Sequence, residues 1–232
     1  MVKKTAYLTI DDSPSRNIID KLNYLESKSI PAVLFCQGNL LQQRVDQAVT
    51  AIRKGFIIGN HSYDHPRFSG LDINQCYDQI ERADKIIDGI YFKAGTKRPV
   101  KYFRFPHGDK GGKQKPLIQA CLRKLGYTKP RFEKITYAYF RNKKIINDID
   151  WGWTYDVREW EMLTEPHLHT KNIMKKIFAR MEENAPEKRK GLNFPHSEEI
   201  ILVHDHPESD DLFIPIIERL LLKGLVFKTA DP

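Results

Sequence analysis

Two adjacent carboxylates, Asp11 and Asp12, follow the short apolar and β-branched run Tyr7-Leu8-Thr9-Ile10. Such a run reads as a buried strand, and strand ends are where chemistry collects in α/β folds. Neighbouring carboxylates repel, so the pair favours a cation between them or a separate task for each. The competing reading is a helix start, with Ser13 as N-cap and Pro14 at the first helical position. His61 and His65 stand in the polar loop Asn60-His61-Ser62-Tyr63-Asp64-His65-Pro66, directly after the strand-like run Phe56 to Gly59. Two imidazoles placed there can present nitrogen to one point, which is what a metal requires. Arg104 lies near the end of another such run, and an arginine pointing inward at a strand end normally has a carboxylate partner. Asp156 sits between Trp153 and Trp160, aromatic residues that serve either as core or as the wall of a sugar-binding groove. The apolar run Ile200 to Val203 carries His204, Asp205 and His206 at its end, whereas His167 and His169 open a basic helix and read as surface or capping residues.

The elements that must position these groups alternate along the chain. Ile18, Ile19, Leu22 and Leu25 share one face at helical spacing, predicting a helix over residues 15–28; Pro31 to Cys36 reads as a buried strand. A helix over Leu40 to Lys54 and a strand over Phe56 to Gly59 follow, then a long helix over 72–93 with Cys76, Ile80, Ala83 and Ile87 facing inward. Lys101 to Phe105 alternates like a strand, Leu117 to Leu125 reads as a short helix, and Ile135 to Phe140 alternates again, with Lys143 and Lys144 in a solvated turn. A strand at Trp153 to Asp156, a helix over 168–183, the strand ending in His204, a helix through Ile217 and Leu220, and a strand at Leu225 to Phe227 complete the chain. Strand alternating with helix predicts a parallel sheet or barrel with helices outside, as a single α/β domain over residues 1–232.

The chain has 232 residues, 41 % hydrophobic and 29 % charged, which suits one globular core. No apolar run approaches the roughly 18 residues of a membrane span. The first strand begins almost at Met1, leaving no room for a secretory signal of about 15–30 residues. The expectation is therefore a cytoplasmic protein, or a secreted one whose leader has been removed. A net charge of +8 would favour polyanions, but the basic residues are scattered, with small clusters at Lys110, Lys113 and Lys115 and at Lys188, Arg189 and Lys190, and no nucleic-acid motif runs through them. The loop Gly108 to Pro116 is rich in glycine and lysine but lacks Walker spacing. Cys36, Cys76 and Cys121 are odd in number and widely spaced, and read as reduced core thiols.

Taken together, the strand-end groups resemble the polysaccharide deacetylase family, carbohydrate esterase family 4, whose members remove N- or O-acetyl groups from chitin, peptidoglycan and related glycans. The resemblance runs from residue 7 to residue 204, with the family's motifs in order: Thr9-Ile10-Asp11-Asp12-Ser13-Pro14, His61-Ser62-Tyr63-Asp64-His65, Arg104-Phe105-Pro106-His107-Gly108, Asp156 to Trp160, and Leu202-Val203-His204. It implies a distorted (β/α) barrel of seven or eight strands. It further implies one divalent metal, zinc first with cobalt, nickel or manganese as alternatives, on Asp12, His61 and His65. Asp11 would be the general base, oriented by Arg104, and His204 the general acid, oriented by Asp156. Leu202 and Trp160 would shape the pocket for the acetyl methyl group, and His107 would border the groove and offer its backbone N–H to the developing oxyanion. Three positions depart from the family pattern: Ser13 replaces a glycine, His107 replaces a tyrosine, and Glu159 stands where an aspartate often precedes the tryptophan.

The implied chemistry is coherent. Hydrolysing an acetamide needs an activated water, a polarised carbonyl and a proton for the departing amine. One carboxylate and two imidazoles leave coordination positions open for water and the carbonyl oxygen. The expected partner is an acetylated, amino-sugar-containing carbohydrate, with no nucleic acid. The alternatives are a deacetylase-fold enzyme acting on a small non-glycan amide, and a glycan-binding protein with little turnover; the second predicts loss of Asp11 or His204, and both are present. The same ligand set also serves non-haem iron oxygenases, where a second carboxylate beside the metal has no evident task.

Overall fold

In β1 (Lys4–Ser13) alternate residues face opposite sides, so Ala6, Leu8 and Ile10 join one apolar cluster while Tyr7 joins another. Both clusters are buried because β1 is the central strand of a sheet that helices cover outside and aromatic side chains fill inside. A computed structural model describes residues 4–142, 146–164, 170–186 and 191–230. Lys143 and Lys144, expected in a turn, His167 and His169, expected at a helix start, and the basic cluster of Lys188, Arg189 and Lys190 lie outside the described residues.

The remaining elements are α1 (Ile18–Ser27), β2 (Ala32–Cys36), α2 (Gly38–Gln43), α3 (Val45–Arg53), β3 (Ile57–Asn60), α4 (Ile73–Lys93), α5 (Lys115–Lys124), β4 (Tyr155–Asp156), α6 (Glu161–Thr164), α7 (Thr170–Glu182), β5 (Glu199–His204), α8 (Asp210–Leu222) and β6 (Leu225–Phe227). The strands are all parallel, in the order β3-β2-β1-β5-β4, and β6 pairs with the start of β1. Asn60 makes a parallel bridge to Phe103, and the Trp151 N–H donates to the Phe103 carbonyl at 2.8 Å, so the sheet curls from β3 through Phe103 and Trp151 towards β4. This is the expected single-domain α/β architecture, a distorted barrel. It contains six strands among the described residues, not seven or eight. The backbone around Phe103 and Trp151 pairs only locally, because Pro99 and Pro106 bracket the first segment and proline donates no ladder hydrogen bond.

Two other expectations are corrected. The helix predicted over Leu40 to Lys54 is broken at Arg44, whose φ of −133° and ψ of 50° leave the helical region and separate α2 from α3. The segment Ile135 to Phe140 is turn and irregular chain, not strand. Its alternation records which side chains enter the interior: Ile135, Tyr137 and Phe140 are buried in the aromatic cluster with Phe35, Tyr102, Phe132 and Trp151. The Cys36, Cys76 and Cys121 thiols are free. The long helix α4 carries Cys76, Ile80, Ala83 and Ile87 on its buried face and starts with a reciprocal capping box between Asp72 and Gln75. No described helix is long and apolar enough to cross a membrane.

Trp151 is the largest wholly buried side chain, with rings of Tyr102, Phe132 and Phe35 at centroid distances of 4.6, 4.9 and 5.7 Å. Trp151→Ala is expected to cost about 3–5 kcal/mol of folding stability, measured as the change in urea unfolding midpoint at constant slope.

Candidate functional site

Parallel strands bring all their C-terminal ends to one rim. β1 delivers Asp11 and Asp12 there, β3 is followed by His61 and His65, the Phe103 bridge by Arg104, and β4 and β5 end in Asp156 and His204. Register does the finer placement: Tyr7 pairs with Ile200, Thr9 with Leu202 and Asp11 with His204. Along the inward face of this pair the side chains therefore run from apolar at the bottom to ionisable at the top. Adjacent strand residues normally point to opposite faces. The pairing of β1 with β2 is interrupted between Ile10 and Ser13, and Asp12 adopts φ +60°, so Asp12 as well as Asp11 reaches the rim.

Positive φ recurs at Ser62, His65, His107 and Arg158, all within the motifs expected to form the site. Such conformations cost about 1–3 kcal/mol each and persist where the surroundings impose them. Asn60 supplies part of that imposition. Its side chain donates to the Tyr127 hydroxyl at 2.6 Å and the Ile80 carbonyl at 3.0 Å, and accepts from the Ser62 N–H at 2.8 Å. Gly108, at φ +65°, packs so closely on Trp153 that a Cβ would lie 2.9 Å from the indole.

Asp12, His61 and His65 each offer a ligand atom, and these atoms lie within 4.8 Å of one another. Asp12 Oδ1 is 3.2 Å from His65 Nε2 and 3.8 Å from His61 Nε2. His61 Nδ1 donates to the Arg104 carbonyl oxygen at 2.8 Å, which leaves Nε2 as the unprotonated nitrogen facing the carboxylates. Burial would raise the Asp12 carboxyl, but a hydrogen bond from His206 and the nearby imidazoles hold it far below the usual range. Burial pushes His65 down to about 4 against the pull of Asp12, keeping its ring neutral and able to ligate.

Asp11 is buried and accepts a 2.7 Å hydrogen bond from Arg104 Nη1. The guanidinium, itself 0 % exposed, also donates to Thr9 Oγ1 at 2.8 Å and to the carbonyls of Gly152 and Trp151, and its flat face lies 4.3 Å from the Phe35 ring centroid. Burial lowers the pKa of this guanidinium, opposed chiefly by the Asp11 charge. The other oxygen of Asp11 stands 3.6 Å from His61 Nε2, at the edge of the ligand set.

Asp156, Glu159 and His204 form one close group, and within it the hydrogen bonds of His204 go to Glu159. His204 Nδ1 lies 3.1 Å from Oε1 of Glu159, which also accepts the His204 backbone N–H. Asp156 instead accepts from the Arg158 backbone N–H at 2.9 Å and the Trp160 indole at 3.3 Å. It remains close: burial lowers His204, but the hydrogen bond and charge of Glu159, and then the charges of Asp11 and Asp156, push it up to about 9, while burial and Glu159 push Asp156 up to about 6. Glu159 is only 2 % exposed. The signal for it was present in the sequence, as the acid directly before Trp160.

A cavity of about 750 Å³ opens over these groups, lined by Asp11, Asp12, His61, His65, His107, Asp156, Trp160, Leu202 and His204, with Trp153 on its wall and Arg104 beneath. His107 stands with its ring centroid 4.4 Å from that of His65. Two further lining residues hold Asp12: Gln37, which the sequence did not single out, and His206, which it placed at a strand end without a role. Gln37 Nε2 donates to Asp12 Oδ1 and His206 Nε2 to Asp12 Oδ2, both at 2.8 Å. Each is a polar residue just past a strand end, the pattern that singled out the others.

Residues 1–130 match the family model for polysaccharide deacetylase, and the chain belongs to that family. It is 26 % identical over 228 residues to a peptidoglycan-N-acetylglucosamine deacetylase of Bacillus cereus, covering 97 % of this chain and 69 % of that protein. It is 30 % identical over 103 residues to a bifunctional xylanase/xylan deacetylase of Cellvibrio japonicus, covering 44 % of this chain and 15 % of that protein. Its fold is that of a family 4 carbohydrate esterase from Streptomyces lividans in complex with acetate, with a TM-score of 0.65 at 23 % identity over 99 % of this chain and 94 % of the other.

The Arg104 and Asp11 pair is the most deeply buried ionic contact at the rim. Arg104→Met is expected to cost about 3–5 kcal/mol, because it leaves the Asp11 carboxylate buried and unanswered. Equal urea midpoints for variant and parent would show that the pair adds nothing to stability.

Proposed function

We propose that this protein is a metal-dependent hydrolase that removes acetyl groups, N-acetyl first, from an amino-sugar-containing glycan or oligosaccharide. The observation that carries this reading is the pairing of Asp11 with His204 across β1 and β5, directly beside the Asp12, His61 and His65 cluster. One carboxylate and two neutral imidazoles suit a divalent metal, zinc before cobalt, nickel or manganese. When bound, such an ion supplies Lewis acidity to water and to an acyl oxygen.

The chain's own groups divide the proton work. Asp11 takes the proton of the attacking water, and Arg104 aims that carboxylate by its 2.7 Å hydrogen bond. His204 holds a proton for the leaving amine, and Glu159 fixes the imidazole by accepting at Nδ1, so that Nε2 is the donor to substrate. Leu202 and Trp160 border the cavity where the acetyl methyl group would sit, and the backbone N–H of His107 is a donor for the oxyanion. The peptidoglycan and xylan deacetylases among the relatives support acetylated glycan as the substrate class. A glycan-binding role without turnover is the lesser reading, because both the base and the acid are retained and paired.

Zinc-loaded protein is expected to release acetate from N-acetylated chito-oligosaccharide or peptidoglycan fragments, assayed by enzyme-coupled acetate detection. Asp11→Asn should lower that rate at least ~10²-fold while zinc content by elemental analysis stays at the parent level; an active variant would remove Asp11 from the role of base. A second expectation concerns pH. His204 acts in its protonated form, so a raised pKa extends activity to higher pH. Glu159→Gln removes the nearest negative charge and should move the alkaline limb of kcat/KM down by about 1 pH unit or more. An unmoved limb would assign that ionisation to another group.

A further inference from the structure

His206 has no task in the reading above. It lies two residues beyond His204, where the chain leaves β5 and turns towards α8. Its Nε2 is 2.8 Å from Asp12 Oδ2, its ring stacks on that of His204 with centroids 5.5 Å apart, and its Nδ1 is buried with no partner among the described residues. An ionised carboxylate only accepts hydrogen bonds, so the proton of this contact sits on Nε2. A nitrogen that carries a proton cannot ligate a metal, and His206 is indeed outside the cluster of mutually close donor atoms that Asp12 forms with His61 and His65.

The two oxygens of Asp12 are thereby given different surroundings. Oδ1 faces His65 and His61 at 3.2 and 3.8 Å and takes one hydrogen bond from Gln37. Oδ2 meets His206 Nε2 at 2.8 Å. We infer that His206 is a positioning residue that restricts Asp12 to one oxygen as a metal ligand. This rests on the metal reading of Asp12, His61 and His65. A carboxylate with both oxygens free can chelate a cation and occupy two coordination positions, whereas hydrolysis needs those positions for water and the acyl oxygen. Donation from His206 to Oδ2 opposes chelation. It also fixes the side-chain rotation of a residue whose backbone, at φ +60°, is already held in an unfavourable conformation. Outer partners of this kind typically carry about 10–100-fold in metal affinity.

The test compares the parent protein with His206→Phe, which keeps ring volume and removes the donor, and His206→Gln, which restores an N–H at similar reach. Zinc affinity is measured by competition with a chromophoric chelator, and cobalt(II) is substituted to record the visible ligand-field spectrum, which reports coordination number. His206→Phe is expected to bind zinc about 10–100-fold more weakly and to change the intensity of the cobalt bands; His206→Gln should recover most of both. Parent-like affinity and spectrum in His206→Phe would overturn the inference, and so would a loss that glutamine fails to recover. A parent protein that takes up neither zinc nor cobalt would overturn the metal reading itself, and this inference with it.

Discussion

A wholly buried guanidinium must be answered by negative charge and by acceptors for its N–H groups, and in this molecule that requirement organises the rim. Arg104 finds Asp11 and Thr9 on β1 and the carbonyls of Trp151 and Gly152 on the segment leading to β4, while its plane rests on Phe35 of β2. One side chain therefore ties three parts of the barrel together just beneath the cavity. Its backbone takes part as well, since the Arg104 carbonyl accepts from His61 Nδ1 and so selects the tautomer that leaves Nε2 facing Asp12. Buried pairs of this kind add little net stability compared with a packed apolar alternative. What this one contributes is a carboxylate at a defined place.

The strain at the site follows from the same economy of position. Asp12, His65 and His107 adopt positive φ without being glycine. For two of them position supplies the reason: Asp12 shares the rim with Asp11, and His65 returns towards Asp12 across a short loop anchored by Asn60 and Gln79. The surrounding strands and the α4 helix hold these conformations, and the cost of about 1–3 kcal/mol each is met by the packing beneath.

Around His204 the chain places two carboxylates with opposite duties. Glu159 accepts both the backbone N–H and the ring Nδ1 of His204, while Asp156 is spent on the turn that carries Arg158 and on the Trp160 indole. Asp156 then acts on the imidazole through space alone. A raised imidazole pKa and a raised Asp156 pKa are two consequences of one crowded arrangement, in which a single histidine offsets several buried acids.

The residues alone determined the periodicities, and with them most of the succession of strands and helices along the chain and the polar groups at the strand ends. They also carried the family motifs, since identity and order along the chain need no coordinates. Only the tertiary structure decided that Leu40 to Lys54 is two helices, that the alternation at Ile135 to Phe140 is buried loop, and that Glu159 rather than Asp156 holds His204. It alone revealed Gln37 and His206 on either oxygen of Asp12. The physical reason is one of range. Periodicity is set by repeat geometry within a segment and is written locally. A hydrogen-bond partner is chosen over fractions of an ångström between segments as much as 194 residues apart, where two carboxylates three positions apart are equivalent on paper and differ only once packing has aimed them.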